Sequence, residues 1–409
     1  MSEGYLAIAR KWRPLTLEEI AGQSHVTRTL GNALKSGRIH HAFLFTGARG
    51  VGKTTAARAF ARSLNCARGP SLAPCGECGP CREIPLGNCT DVIEIDAASN
   101  NSVNDVRELR DGVRYVPSVA RFKVYIIDEV HMLSTSAFNA LLKTLEEPPP
   151  HVKFIFATTE VQKIPETILS RVQRFDFKRI PQAVVVERLR LICEAEKVNV
   201  SDTALRMVAR AGEGSMRDSQ SLLDQVISFG GDRPTDQAVA DILGLVDRQV
   251  LHDMLGGVLK GDAPQCLDAI AAVYDGGYEI AQFTGELLEL IHDAALVSMA
   301  PRAHKHMDIP VEERERLAEL ARGLPPEQLA RTFHVLLEVH DQVARSARPR
   351  AVLEMAVARL VSIRPAEPLG GLVDRLAELE RRLRGTPLAP VARAQAREPQ
   401  SSPEDERRG

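Results

Sequence analysis

Aromatic residues are scarce in this chain: 4% of 409 positions, with a single tryptophan. Stacking of bases on rings is therefore not an obvious way for it to hold nucleic acid. One-sided charge is missing too. The formal net charge is −2, so no overall basic field argues for a polyanionic partner. No apolar run approaches the ~18 residues of a membrane span. The opening Met-Ser-Glu-Gly-Tyr lacks the basic region and apolar core of a secretory signal. These absences lead to the expectation of a cytoplasmic protein with no membrane partner. The remaining composition, 44% hydrophobic and 26% charged, fits a soluble globular chain. Its length allows about three domains at ~100–200 residues each.

Residues 47–54 read Gly-Ala-Arg-Gly-Val-Gly-Lys-Thr, a complete phosphate-binding P-loop. The apolar run His41–Thr46 before it reads as a short buried strand, and Thr55–Leu64 after it as a helix. That context gives the pattern a mechanism. Glycines let the backbone curl so that successive N–H groups face phosphate oxygens, and the helix N-terminus adds a favourable dipole. Gly47, Gly50, Gly52, Lys53, Thr54 and Thr55 are thus candidate nucleotide-binding residues. Lys53 is expected to reach the β/γ-phosphates and the Thr54 hydroxyl to sit on Mg²⁺. Downstream, Phe122–Asp128 is an apolar strand ending in Asp128-Glu129. Asp128 is expected to hold Mg²⁺, and Glu129 to polarise the attacking water as general base. Read alone, this acidic pair is equally a cap for the next helix, which begins near Ser134.

Of seven cysteines, four cluster as Cys66, Cys75, Cys78 and Cys81, with spacing C-x8-C-x2-C-x2-C. Glycine follows Cys75 and Cys78, where a tight turn wraps a metal. In a reducing compartment such a cluster favours metal over disulfide, and four thiolates suit tetrahedral Zn²⁺. An Fe–S cluster and free thiols are the alternatives. On spacing alone Cys89 can replace Cys66 as the fourth ligand. Cys193 and Cys266 fall in helical patterns and read as buried fillers.

Strand and helix patterns alternate through residue 177. Strands are expected at 42–46, 91–95, 123–127, 152–158 and 173–177, and helices at 53–65, 103–114, 134–146 and 165–170. Such alternation predicts an α/β fold with a parallel sheet covered on both faces. The cysteine module, 66–89, interrupts it as an insertion on the rim. After Pro181 the strands stop. Helices at 182–197, 202–212 and 216–229 suggest a small lid domain, and helical patterns continue from about 234 to 363. The expected divisions are 1–180, 181–232, 233–365, and a 366–409 segment with a short Leu372, Leu376, Leu379, Leu383 stripe before a disordered tail.

Taken together, Ala9-Arg-Lys-Trp-Arg-Pro14, Gly22-Gln23, Arg38-Ile-His-His-Ala42, the P-loop, the cysteine module, Asp96-Ala-Ala-Ser99, Asp128-Glu-Val-His-Met-Leu133, Asn139–Pro148 and Gly214-Ser-Met-Arg-Asp218 resemble one group of AAA+ ATPases. These are the gamma/tau subunits of bacterial DNA polymerase III, the motor of the sliding-clamp loader. The resemblance covers about residues 4–363. It implies an AAA+ sheet with a zinc-module insertion, a helical lid and an all-helical collar. It implies ATP, Mg²⁺ and Zn²⁺ as ligands. The implied partners are other gamma/tau copies, delta-type and delta-prime-type subunits, the sliding clamp and primer–template DNA.

Residue by residue, the resemblance makes Thr158 or Thr159 a polar sensor near the γ-phosphate and Arg217 a lid contact to the same nucleotide. Arg171, in Ser170-Arg-Val172, matches the family's Ser-Arg-Cys arginine finger, which acts on a neighbour's ATP; here Val stands third. Arg10 and Val26 are implied near adenine. Ser99–Ser102 at a helix start, with Arg107, Arg110, Arg114 and Arg121, is the implied DNA-facing stretch. Read alone, the two threonines close a strand and the arginines are surface charges. Two functions of other kinds compete with the motor: a non-catalytic scaffold subunit of the same assembly, and another AAA+ DNA motor such as a branch-migration helicase. His131 is expected to be structural.

Overall fold

The computed structural model describes residues 6–100, 109–231, 233–300, 311–363 and 369–385. Asn101, Ser102 and Arg107 of the implied DNA-facing stretch lie outside these residues, as does the segment after 385.

Five parallel strands form one sheet in the order β2-β3-β4-β1-β5. They are β1 (Ala42–Thr46), β2 (Val92–Asp96), β3 (Lys123–Asp128), β4 (Val152–Thr158) and β5 (Gln173–Asp176). Each lies within one residue of its sequence-based expectation. β1 and β4 are buried at every position. That is why they read as mainly apolar runs rather than alternating ones, with Lys153 the one charge inside β4. Alternate side chains still serve opposite faces. Phe43, Phe45 and Ile126 pack with Leu30 of helix α2 (Ser24–Ser36) and Phe60 of α3 (Lys53–Asn65). Leu44, Tyr125 and Phe154 pack on the other face. The short α4 (Gly79–Leu86) belongs to the cysteine module, and α5 (Thr135–Glu146) gives Phe138 and Leu141 to the second face.

Ser134, not the acidic pair, caps α5: its Oγ accepts from the Ala137 N–H at 3.2 Å. Asp128-Glu129 is thereby left free of capping duty. A one-turn α6 (Glu166–Leu169) precedes β5. Helices α7 (Gln182–Glu196), α8 (Asp202–Ala211) and α9 (Met216–Gly230) follow. They share an apolar centre through Leu189, Leu205 and Leu223. Ser201 and Ser215 cap α8 and α9.

By its contacts the chain divides into one unit of residues 1–252 with 271–283, and a second of 253–270 with 284–409. In the second, a helix at Pro326–Arg345 pairs with one at Pro349–Val361. Leu329, Leu336 and Val343 of the first of these are buried. No helix among the described residues is long and apolar enough to cross a membrane.

One buried carboxylate fixes the approach to β3. Asp91 is 3% exposed. It accepts from the backbone N–H groups of Ser118, Val119 and Ala120 at 2.8–2.9 Å. Burial alone would raise its pKa, but those N–H groups outweigh burial and hold it below the usual carboxylate value. A depressed folded pKa contributes stability above the unfolded value of ~3.9, and that stability is lost as pH falls further. Asp91→Ala should therefore cost about 2–4 kcal/mol at neutral pH in urea unfolding. It should also flatten the loss of stability below about pH 4 relative to the parent chain.

Candidate functional site

Parallel strands end on one side, and the register brings the motif residues to one level. Thr46 is opposite Thr158, and Asp96 is opposite Asp128. The first loop residue after β1 is tied to β4, since the Gly47 N–H donates to the Thr158 carbonyl at 3.3 Å. A Cβ on Gly47 would run into the Phe177 carbonyl, so glycine is required there. Helix α3 starts at Lys53, which is buried. Its Nζ donates to the carbonyls of Gly47 at 2.9 Å and Ala48 at 2.8 Å, placing the ammonium in the mouth of its own loop. Burial lowers its pKa, and the carboxylates of Glu129 and Asp128 oppose that. Thr54 Oγ1 donates to Asp128 Oδ2 at 2.7 Å. The hydroxyl and the carboxylate are thus already placed to share one hard cation.

Glu129 has left-handed backbone, φ 46°, a conformation uncommon for a residue with a side chain. Its Oε2 accepts from the Thr159 N–H at 3.2 Å and the Thr159 hydroxyl at 3.1 Å. Buried His131 stands between groups: Nδ1 is 3.0 Å from Thr158 Oγ1 and 3.4 Å from Glu129 Oε2. Both threonines are therefore linked to Glu129, Thr159 directly and Thr158 through His131.

The lid closes on the loop. A Cβ on Gly50, at φ +73°, would strike Ser215 Oγ, and the Arg217 N–H donates to the Gly50 carbonyl at 3.3 Å. Between them lies a cavity of about 290 Å³ lined by Gly50–Thr55, Asp96, Asp128, Glu129, Arg188, Arg217 and Gln220. The N-terminal segment, with α1 (Ile8–Lys11), adds Ala9, Arg13 and Pro14. Arg10 and Val26, implied beside the base, do not line the cavity. Arg10 is exposed, a ~100° helical step away from Ala9. Val26 is 1% exposed and belongs to the sheet core. Arg13 and Arg188 take the places near the cavity instead. Burial, with Arg58 and Arg217 adding to it, lowers the Arg13 pKa while Glu94 opposes. The cavity thus gathers several cations that an anion would satisfy.

Two further groups lie apart. The Sγ atoms of Cys66, Cys75, Cys78 and Cys81 all fall within 4.8 Å of one another, and Cys89 is outside the group. Cys75 and Cys81 Sγ are 3.9 Å apart. A tetrahedral ion with ~2.3 Å bonds sets sulfurs about 3.8 Å apart, so the four residues fit zinc. The backbone N–H groups of Cys78 and Glu77 pull the Cys75 thiol down to about 6, which readies one thiolate. Burial pushes Cys81 up to about 12. Arg171 is at the other end of the sheet. It precedes β5, whose Asp176 is level with Thr46, so roughly 15 Å of strand at ~3.3 Å per residue separates it from the loop of its own chain. Its guanidinium pairs with Glu146 at 2.7 Å.

Arg13 and Arg188 are the site residues that sequence reasoning missed. Arg13 falls inside the Ala9–Pro14 motif and could have been found there. Arg188 is one charge among several in a helix, and only lid packing brings it to the cavity.

Comparison with known proteins adds the following. Residues 22–181 match the family described as DNA polymerase III, delta subunit. Residues 184–232 match the ATPase lid domain of the DNA polymerase III clamp loader subunit, and 235–376 match domain III of DNA polymerase III subunits gamma and tau. The chain is 42% identical over 361 residues to DNA polymerase III subunit tau/gamma of Haemophilus influenzae, covering 88% of this chain and 52% of that one. It is 40% identical over 412 residues to subunit gamma/tau of Mycobacterium tuberculosis, covering 98% and 71%. It is 37% identical over 358 residues to subunit gamma of Buchnera aphidicola, covering 88% and 99%. The chain thus spans about half the length of several curated relatives it matches.

The contact between loop and lid can be isolated with two glycines. Gly50 and Gly69 both have positive φ, but a Cβ on Gly69 meets nothing within 4 Å. Gly69→Ala should cost only backbone strain, about 1–3 kcal/mol. Gly50→Ala should cost more in thermal unfolding, because it also pushes Ser215 away. Equal losses for the two variants would mean the lid does not rest on Gly50.

Proposed function

The chain belongs to the gamma/tau family of DNA polymerase III clamp-loader subunits, and from that premise we propose that it is an ATP-hydrolysing motor that opens a sliding clamp and loads it onto primed DNA. The observation that carries this reading is convergence. Lys53, Thr54, Asp128 and Glu129 meet Arg217 of the lid around one cavity. A scaffold subunit would have no need to keep all four of these groups together. In this reading residues 1–180 are the ATPase sheet with its cysteine module, 181–232 the lid, and 233–365 a collar. The implied partners are further copies, delta-type and delta-prime-type subunits, the clamp and primer–template DNA, in the cytoplasm.

The residues divide the chemistry as follows. The P-loop amides and Lys53 bind phosphate oxygens. Thr54 and Asp128 hold Mg²⁺, which would neutralise charge building up on the phosphates. Glu129 takes the proton from the attacking water once it leaves Thr159. Thr158 and Arg217 report the γ-phosphate to the strand and lid. Arg171 serves a neighbour's nucleotide, because its own lies beyond reach. Cys66, Cys75, Cys78 and Cys81 hold one structural Zn²⁺, with no open position for chemistry.

Steady-state ATP hydrolysis by the assembled complex, with and without clamp and primed DNA, tests the reading. Lys53→Ala should abolish turnover, and Glu129→Gln should bind ATP yet stall. Wild-type turnover by Glu129→Gln would remove Glu129 as the base. Arg171→Ala should leave ATP binding to the isolated chain unchanged but slow the complex, on the order of 10³-fold where trans-acting arginines have been measured. Mixing Arg171→Ala with Lys53→Ala subunits should restore part of the activity. Elemental analysis should find one zinc per chain, lost in Cys66→Ser and kept in Cys89→Ser.

A further inference from the structure

We infer that the cysteine module braces the segment covering the nucleotide cavity, with Arg62 as the positioning residue that joins the two. The inference rests on the nucleotide-site reading above for its consequence, though not for its geometry. Helix α3 has Lys53 as its first residue and Cys66 immediately past its last, so the P-loop lysine and the first thiol stand at the two ends of one 13-residue helix. Arg62 lies four residues before Cys66, on the same face of that helix. It is 7% exposed, and a buried guanidinium must find partners. Nη1 donates to the Leu15 carbonyl at 2.9 Å. Nη2 faces the Cys75–Cys78 knuckle, where a Cβ on Gly76 would sit 3.5 Å from it. Nε meets no partner among the described residues.

The module is also seated on α2. Leu72 approaches Gly31 so closely that a Cβ there would come within 2.9 Å. The covering segment, residues 6–20, is held at both ends. Ile8 is buried in the lid cluster with Trp12 against it, and Trp12 Nε1 donates to Glu196 of α7 at 2.7 Å. Leu17 and Ile20 are buried in the sheet core. Arg13 and Pro14, between these anchors, line the cavity. Leu15 is the next residue, and Arg62 fixes its carbonyl. The segment therefore crosses from lid to core, and the bond from Arg62 sets its height over the nucleotide.

Charge makes the brace depend on the metal. A divalent cation among four thiolates leaves a net charge of about −2, which holds a neighbouring guanidinium in place. With the metal removed nothing pins the Cys75–Cys78 knuckle beside Nη2, and that hold on Arg62 is loosened.

The test uses the intact chain, a fluorescent ATP analogue, and the emission of Trp12, the single tryptophan. Chelating the metal should shift Trp12 emission without nucleotide and weaken analogue binding by about tenfold, the scale of one lost charge-assisted hydrogen bond. Metal-loaded Arg62→Met should reproduce both effects, and chelation should then add little. Arg62→Lys, which keeps the charge, should fall between. Unchanged Trp12 emission and affinity in metal-loaded Arg62→Met would overturn the inference, as would equal weakening of parent and variant on chelation. If chelation unfolds the parent chain, the metal-loaded variants alone decide. Failure of the nucleotide reading looks different: the parent chain would not bind the analogue, or Lys53→Ala would bind it equally well, while the Trp12 shifts would still report the brace.

Discussion

Everything at the site depends on β1, β4 and β3 running parallel and ending at one level. Parallel pairing puts all three carboxyl ends on one side of the sheet, and the register does the rest. The Thr158 carbonyl holds Gly47, and the Asp128 carbonyl accepts from the Ala97 N–H at 3.0 Å. The P-loop, the acidic pair and the threonines are then neighbours, although they are about 30–110 residues apart in sequence. A single register slip would separate Thr54 from Asp128 and turn the strand's side chains to the wrong face. The cost of such a slip is large because both faces are covered. Phe43 and Phe45 would exchange places with Leu44.

The sheet supplies only half of the cavity. The other half comes from α7 and α9 and from residues 9–14, none of which is a strand. Beside the burial of Ile8, Leu17 and Ile20, three small contacts help hold that half down: Ser215 on Gly50, Trp12 on Glu196, and Arg62 on Leu15. Each is a single packing contact or hydrogen bond of about 1–3 kcal/mol. Parting these three contacts leaves the sheet's own hydrogen bonds untouched, so the cover can shift without disturbing the strands. A rigid floor with a lightly held cover suits a site that must admit and release a nucleotide.

Much of this was legible in the residues. β1 and β4 were readable because double-sided burial makes them mostly apolar; Lys153 is the exception inside β4, and its Nζ donates to the Ile39 carbonyl at 3.3 Å. The loop was readable because its glycines and lysine follow from phosphate geometry. The cysteine spacing marked a candidate metal-binding group with its fourth member open, and packing gathers Cys66 rather than Cys89 with the other three. Arg10 failed for a related reason: the motif marks a segment, while the helical turn decides which of its side chains faces inward. The internal partner of Glu129 was not foreseeable either, since Thr159 meets it only through the β3–β4 pairing.

The proposed role of Arg171 would give such a chain a reason to need neighbours. Its backbone sits at the amino end of β5, and the phosphate-binding loop at the carboxyl end of β1. Within one rigid unit these two ends cannot meet, because the length of the sheet separates them. Between copies they can, if the amino end of one sheet faces the loop of the next. The present partner of Arg171, Glu146, is half exposed at 50%. A pair of that kind contributes about 0–1 kcal/mol. A guanidinium stabilising a phosphoryl transition state has been worth 10³–10⁵ in rate, or about 4–7 kcal/mol. Releasing Glu146 would therefore cost little beside what the same guanidinium would take off a neighbour's barrier. Hydrolysis would then be slow in a lone chain and fast in an assembled one, which ties turnover to assembly through one side chain.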